Sequence, residues 1–322
     1  MSFNNVYDIK YNKYLNKELY GGIMNKQLKI NIDNQIVIDE EDSKKNKKES
    51  KKKKDNKERK YDQRNKLNNL TGAEWQFATK TVISKIYPSN LQHKLRSQHG
   101  GQKPPDLCAD LIKIFTKEGQ IVLDPLAGVG GTLLGAALCN REAIGIELNN
   151  KWIDIYKEVC RLENLKEFEM INGDSNKVLK NIEEGSIDFV LTDVPYWIMD
   201  QLTKTRSTAA ERKSKLSKFN DKELQSKEDW LKEMKNIFTN VYPTLKKNGY
   251  MAVFIGDMYR GKEYHFLSAD LARTISEIKG FVMKSDIIWH DDSKMLHIYG
   301  YPFAYIPSLI HQHILIFRKE DI

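Results

Sequence analysis

Cysteine is scarce in this 322-residue chain: Cys108, Cys139 and Cys160 are the only three, at spacings that fit neither a zinc site nor a disulfide framework. Long apolar runs are absent. No stretch of about 18 apolar residues exists to cross a bilayer, and the opening "MSFNNVYDIKYNKYLNKELYGG" lacks the apolar core of a signal peptide. Together these absences favour a reducing, intracellular compartment and no membrane partner. Also missing are a Walker-type lysine, a second glycine fingerprint and any paired Cys/His set, which sets aside P-loop, dinucleotide and zinc chemistry. The cysteines on apolar segments read as buried side chains, so a cysteine-dependent nucleophilic reaction is disfavoured.

Acidic charge is the other shortage, and it is local. Residues 44–60, "KKNKKESKKKKDNKERK", carry eleven Lys/Arg against three Asp/Glu. Removing them from the chain's 52 basic and 44 acidic residues leaves 41 of each, so the net charge of +8 sits on this tract. A block of like charge without apolar anchors is expected to be disordered. It reads either as a solvated linker or as a polyanion-binding arm whose affinity is sensitive to salt.

What is present begins near Leu67. Residues 1–66 form an N-terminal extension with a short strand-like "KINIDNQIVIDEE" and the lysine tract, and 67–322 read as one domain. "LNNLTGAEWQFATKTVI" predicts a helix behind a Thr71–Glu74 capping box. Beyond it, strand and helix patterns alternate: "QIVLDP", "TLLGAALCN", "AIGIEL", "NKWIDIYKEVCRLENL", "FEMINGD", "NKVLKNI", "SIDFVLTD", a helix over 227–246, "YMAVFIGD", "LSADLARTISEIKG", "FVMKSDIIWH" and "HQHILIFRK". This alternation predicts an α/β fold with a mainly parallel sheet and an antiparallel final strand.

Three successive strands end in acids: Asp124, Glu147 and Asp174. In open α/β sheets, ligands bind outside the carboxyl ends of the strands. "DPLAGVGGT" after the first strand supplies Gly128 and Gly130 for close backbone approach and a helix N-terminus beyond them. Glu147, 19 residues after Gly128, is placed to accept from a ribose diol, and Asp174 from an adenine amino group. An acid at the first strand tip repels pyrophosphate but suits a cationic amino acid moiety. That selects S-adenosylmethionine over a nicotinamide dinucleotide.

Residues 67–322 resemble the DNA N6-adenine/N4-cytosine amino-methyltransferase family, with the cofactor motifs before the catalytic one. "DPLAGVGGT" is similar to its D-P-F-x-G-x-G-T motif, with Leu126 for Phe and an extra Gly131; this carries over Asp124, Pro125, Gly128, Gly130 and Thr132. "GIELN" resembles the ribose-binding motif. "HGGQKPPDLCADLIKIFTKEG" resembles the segment that lines the methionine end of the cofactor, which implies Gln102 and Lys103 there. The resemblance implies a class I S-adenosylmethionine-dependent (Rossmann-like) fold and no metal.

"DVPY" is similar to the family's catalytic (Asp/Asn/Ser)-Pro-Pro-(Tyr/Phe/Trp) motif, departing at Val194. Asp193 is placed to accept one hydrogen of an exocyclic amino group, with the Val194 or Pro195 carbonyl taking the other. The nitrogen lone pair is then aimed at the methyl donor, by positioning and electrostatics without a covalent intermediate. Pro195 stiffens the turn, Tyr196 would stack on the base and Trp197 would wall the pocket. A base in duplex DNA must be flipped out to arrive there. Asp in this motif favours adenine N6, although "TDVPYW" and "YGYPFAYIPSLIHQHILIFRK" also resemble the cytosine-N4 branch.

Two further stretches bear on partners. Residues 201–218 carry six Lys/Arg against one Glu, within a basic insertion at about 198–226. Lys204, Arg206, Arg212, Lys213 and Lys215 are its candidate DNA contacts. "HIYGYPFAYIP", 297–307, packs four aromatics into a loop, either a lid or a stacking contact. His311 and His313 share one face of a strand and, without acid or cysteine neighbours in sequence, are expected to pack. The expected location is the nucleoid-containing cytoplasm of a prokaryote or phage host, or a eukaryotic nucleus. A companion nuclease or second methylase subunit stays open. So do an RNA or protein-glutamine methyltransferase and an inactive DNA-binding subunit.

Overall fold

The computed structural model describes residues 62–197, 226–260, 262–291 and 293–321, all within a compact unit spanning Lys57–Ile322. The lysine tract, "KINIDNQIVIDEE" and the candidate DNA contacts Lys204, Arg206, Arg212, Lys213 and Lys215 lie outside the described residues. In chain order the elements are α1 (Gly72–Ala78), β1 (Val82–Ile83), α2 (His93–Arg96), α3 (Pro105–Phe115), β2 (Ile121–Asp124), α4 (Gly131–Leu138) and β3 (Glu142–Glu147). There follow α5 (Asn150–Glu163), β4 (Glu169–Asn172), α6 (Ser175–Val178), β5 (Ile187–Asp193), α7 (Lys227–Thr244) and β6 (Leu245–Ile255). The hairpin β7 (Met258–Arg260) and β8 (Glu263–His265), then α8 (Leu267–Ser276), β9 (Phe281–His290) and β10 (His311–Lys319) complete the series.

Local sequence accounts for most of these boundaries. The Asn149 side chain accepts from Lys151 N to cap α5, and Asn164 ends it in the left-handed region. Between them Trp152, Ile153, Ile155, Tyr156, Val159 and Cys160 are buried at helical spacing. In the strands the period is two. Val122, Phe189, Leu191, Ala252 and Phe254 pack on one side of the sheet with α3, α4 and α5. Their neighbours Leu123, Val190, Met251, Val253 and Ile255 pack on the other with α7 and α8. The result is a sheet covered by helices on both faces, whose strands read as continuous apolar runs because neither face meets water.

The eight-stranded sheet has the order β1-β9-β10-β6-β5-β2-β3-β4. From β6 to β4 every pairing is parallel, and β10 runs antiparallel to both β6 and β9, as expected for the final strand. After β2 the chain builds outward through β3 and β4, then returns to place β5 on the other side of β2. The crevice between the carboxyl ends of β2 and β5 is therefore the topological switch point.

One expectation is corrected. The helix begun by the Thr71 capping box, seen with Glu74 N to Thr71 Oγ1 at 3.3 Å and Thr71 N to Glu74 Oε2 at 2.8 Å, stops at Ala78. It buries none of its side chains. The β-branched Val82 and Ile83 that follow pair with Ile288 and Trp289 at the end of β9 instead. The hairpin β7–β8 had no distinct sequence signal.

Candidate active site

At the switch point the loop between β2 and α4 turns on two glycines with positive φ, Gly128 at 52° and Gly130 at 75°. A Cβ on Gly130 would fall 2.3 Å from the Tyr156 ring, and one on Gly128 would fall 3.1 Å from His99, so both close approaches require glycine. Glu147, at the tip of β3, receives Gly128 N on Oε2 at 2.9 Å and Asn149 N on Oε1 at 2.8 Å. Burial outweighs these bonds and pushes its carboxyl up to about 7. Asp124 closes the floor: its Oδ1 accepts from Thr192 Oγ1 at 2.7 Å and Leu126 N at 3.0 Å, and burial pushes it up to about 6.

Other residues implied for the cofactor have different occupations here. The Thr132 hydroxyl is buried and donates to the Leu191 carbonyl at 3.3 Å, tying α4 to β5, and a side-chain bond from Thr132 also acts on Asp124. The Pro125 carbonyl accepts from Ser175 Oγ at 2.5 Å. Asp174 does not end its strand as expected: β4 stops at Asn172, and Asp174 caps α6, accepting from Asn176 N on Oδ1 at 2.9 Å. Gln102 donates weakly to the His93 carbonyl at 3.4 Å, while its Oε1 is buried and unpaired.

Lys103 departs most from the role the resemblance implied. Its ammonium is buried and bonds Asp193 Oδ2 at 2.5 Å, the tip of β5, instead of lining a methionine site alone. Asp193 is the residue that ends β5, and its other oxygen, Oδ1, is buried without a partner. Burial raises its carboxyl, and the Lys103 charge acts against that.

The turn after Asp193 is held from below. The Pro195 carbonyl accepts from the indole Nε1 of Trp230, a buried α7 residue, at 2.8 Å. Of the two carbonyls expected to be candidates for an amino hydrogen, Val194 and Pro195, the second already carries this partner. The Tyr196 ring lies over Gly256 at the end of β6, where an added Cβ would come within 2.9 Å of it. Trp197 meets His265 edge-on at 5.3 Å between centroids, has the Arg260 guanidinium 5.5 Å over its ring, and keeps a buried, unpaired Nε1. The hairpin β7–β8 is thus the support for Trp197.

Sequence reasoning missed His99. Its ring contacts Trp152 edge-on at 5.0 Å beside Gly128, and burial together with the Lys103 charge pushes it down to about 4, so it is a neutral imidazole. Position in "HGGQK" was the one available signal. His313 also differs from expectation: acid partners do stand near, Asp286 Oδ2 at 2.8 Å and Asp257 Oδ2 at 3.5 Å. The pair of acids turns a packing histidine into a charged strut behind the end of β6. All three cysteines are buried, and Cys108 is pushed up to about 12, which leaves it unreactive.

Buried polar atoms are normally paired, so the unpaired Asp193 Oδ1 at the tip of β5 is an acceptor left open for a ligand; Gln102 Oε1 and Trp197 Nε1 are buried and unpaired as well. The glycine loop, Glu147 and the acid-rich floor fit a cationic nucleoside. That donor set, at the switch point of this sheet, defines a class I S-adenosylmethionine-dependent methyltransferase. A family model described as DNA methylase, of the N6/N4 type, matches residues 8–158 and 187–322. The chain belongs to that N6/N4 DNA methylase family, and its cofactor is S-adenosylmethionine.

Among curated relatives, the type II methyltransferase M.HindIII of Haemophilus influenzae is 48% identical over 67 residues, 21% of this chain and 22% of its own length. The tRNA (guanine(10)-N2)-dimethyltransferase of Methanothermobacter thermautotrophicus is 28% identical over 137 residues, 42% of this chain and 38% of its own. The matched stretches thus cover only 22% and 38% of these two relatives' own lengths. Of solved structures, TrmN from Thermus thermophilus superposes with a TM-score of 0.46 at 15% identity, covering 70% of this chain and 52% of its own. Among the described residues no helix is long and apolar enough to cross a membrane.

Proposed function

We propose that this protein transfers a methyl group to the exocyclic amino group of a base flipped out of duplex DNA, adenine N6 in preference to cytosine N4. The observation that carries the reading is the Asp193 carboxylate, buried beside the Asp124–Gly128 floor with one oxygen clamped and the other unpaired. S-adenosylmethionine supplies a sulfonium-activated methyl when bound. The protein's part is orientation. Asp193 Oδ1 accepts one amino hydrogen and the Val194 carbonyl the second, since the Pro195 carbonyl is committed to Trp230. The nitrogen lone pair, otherwise delocalised into the ring, is then held on the line of attack. Asp193 also lies next to the proton that the methylated nitrogen must shed. Tyr196 and Trp197 bound the space for the base, and Glu147 with the glycine loop holds the donor's nucleoside.

DNA as substrate draws support from the type II methyltransferases among the relatives. A second reading, an RNA base amino group, rests on the two tRNA (guanine(10)-N2)-dimethyltransferases, both of which match over longer stretches than M.HindIII. A tritiated-methyl assay with duplex DNA, tRNA and no nucleic acid separates them, and mass spectrometry of nucleosides from the product identifies the base. Label in tRNA alone would replace the DNA reading, and N4-methylcytosine would reverse the preference for adenine.

A further inference from the structure

We infer that Lys103 is a positioning residue that clamps Oδ2 of Asp193 and thereby aims Oδ1 at the amino group to be methylated. This rests on the role proposed for Asp193. The contact is short and screened from water: Nζ to Oδ2 is 2.5 Å, with side-chain exposures of 8% and 21%. The ammonium also lies 5.2 Å from the Phe254 ring centroid, on the strand next to Asp193.

The backbone under Lys103 is equally fixed. The Lys103 carbonyl receives Arg96 Nη1 at 3.4 Å, and the same buried guanidinium holds the Leu91 carbonyl at 2.8 Å and the Asn90 carbonyl at 2.9 Å. From the other side α4 begins so close that a Cβ on Gly131 would lie 3.1 Å from the Lys103 carbonyl. A long flexible side chain is thus launched from a rigid base toward one carboxylate oxygen. An unclamped Asp193 would be free to rotate or protonate, and a protonated carboxyl offers one acceptor fewer.

Charge supports the geometry. Groups acting on or acted upon by Asp193 are Lys103 before α3, Lys294 in the loop after β9, Asp124 at the tip of β2, Cys108 on α3 and Tyr196 in its own turn. Burial raises the Asp193 carboxyl; Lys103 opposes it most and Lys294 less. Removing Lys103 therefore moves Asp193 protonation to higher pH, and with it the acid limb of activity.

The test compares wild type with Lys103→Met and Lys103→Arg. Calorimetry gives S-adenosylmethionine affinity, tritiated-methyl transfer to duplex DNA gives kcat, KM and pH profile, and 13C-carboxyl NMR follows Asp193, assigned with Asp193→Asn. Lys103→Met is expected to lower kcat roughly tenfold or more and to move the acid limb to higher pH. Cofactor affinity should stay within about threefold, and Lys103→Arg should restore most of the rate. Cofactor affinity falling in step with rate, at an unchanged pH profile, would overturn the inference and make Lys103 a cofactor ligand. Should wild type methylate no DNA, the proposed function fails, and the NMR titration still decides: an Asp193 midpoint unmoved by Lys103→Met rejects the clamp.

Discussion

Asp193 carries the heaviest demand of any single residue. A buried carboxylate is costly unless paired, and here one oxygen is paired and one is kept empty. Asp193→Ala is expected to reduce methyl transfer by a factor of about a thousand, because on the proposed reading it removes the acceptor that orients the reacting nitrogen. Cofactor affinity measured by calorimetry should change little, since Glu147 and the glycine loop are untouched. Equal loss of both would contradict the division of labour. The type of residue at each strand tip was legible in sequence, but its occupation was not. Nothing in "GDS" distinguishes an Asp174 that caps a helix from one that faces a nucleoside. Nothing in "QKPP" announces that Lys103 reaches ninety positions along the chain to Asp193.

Among elements, the end of β6 and the strands beside it form an electrostatic brace. His313 on β10 lies between Asp257, just after β6, and Asp286 on β9. Hydrogen bonds donated by the His313 ring to Asp257 and Asp286 raise His313 to about 9. For Asp257 burial acts upward, but bonds from His313, Ser268 and Tyr264 prevail and lower it to about 2. The raised histidine stabilises fully below its ordinary value of 6.5 and loses that contribution as pH rises through about 9. The lowered aspartate stabilises above 3.8 and loses its contribution as pH falls through about 2. The brace is therefore complete between roughly pH 4 and 6.5. Thermal melts of wild type and His313→Gln should differ most in that window and converge toward pH 9; a constant difference would show that packing, not charge, is what His313 supplies.

The β9–β10 loop carries the other element-scale expectation. Its tip exposes Tyr301, Phe303 and Tyr305, the last two more than 90% accessible, although large aromatic side chains normally bury much of their surface. Rings so placed on an edge loop suit stacking against unpaired bases. Replacing all three with Ala should weaken DNA binding by roughly fivefold or more for each base that stacks, at about 1–3 kcal/mol per stacked base, without lowering the melting temperature. Unaltered affinity in a fluorescence anisotropy titration would leave the loop without a nucleic-acid role.

For the whole molecule, charge is separated from chemistry. The excess of eight positive charges lies in residues 44–60, while the remainder of the chain balances. Deleting the tract should weaken DNA binding at low salt and flatten the dependence of log affinity on log salt, because fewer counterions are released. An identical salt slope would show that the arm does not touch the polyanion. The family match includes both the glycine loop and the Asp193–Trp197 turn, so the fold class and the cofactor follow from the chain as a unit.

The linear pattern alone determined the alternating strands and helices, the acids at their tips, the glycine turn and the Asp193-Val194-Pro195-Tyr196 turn, because these are governed by local periodicity and backbone stereochemistry. Only tertiary structure decided which carboxylate oxygens are engaged, why His99 and His313 differ in charge, and that β7–β8 supports Trp197. Those outcomes depend on burial and on partners brought together by β5 returning beside β2. Neither quantity is written in the spacing of residues along the chain.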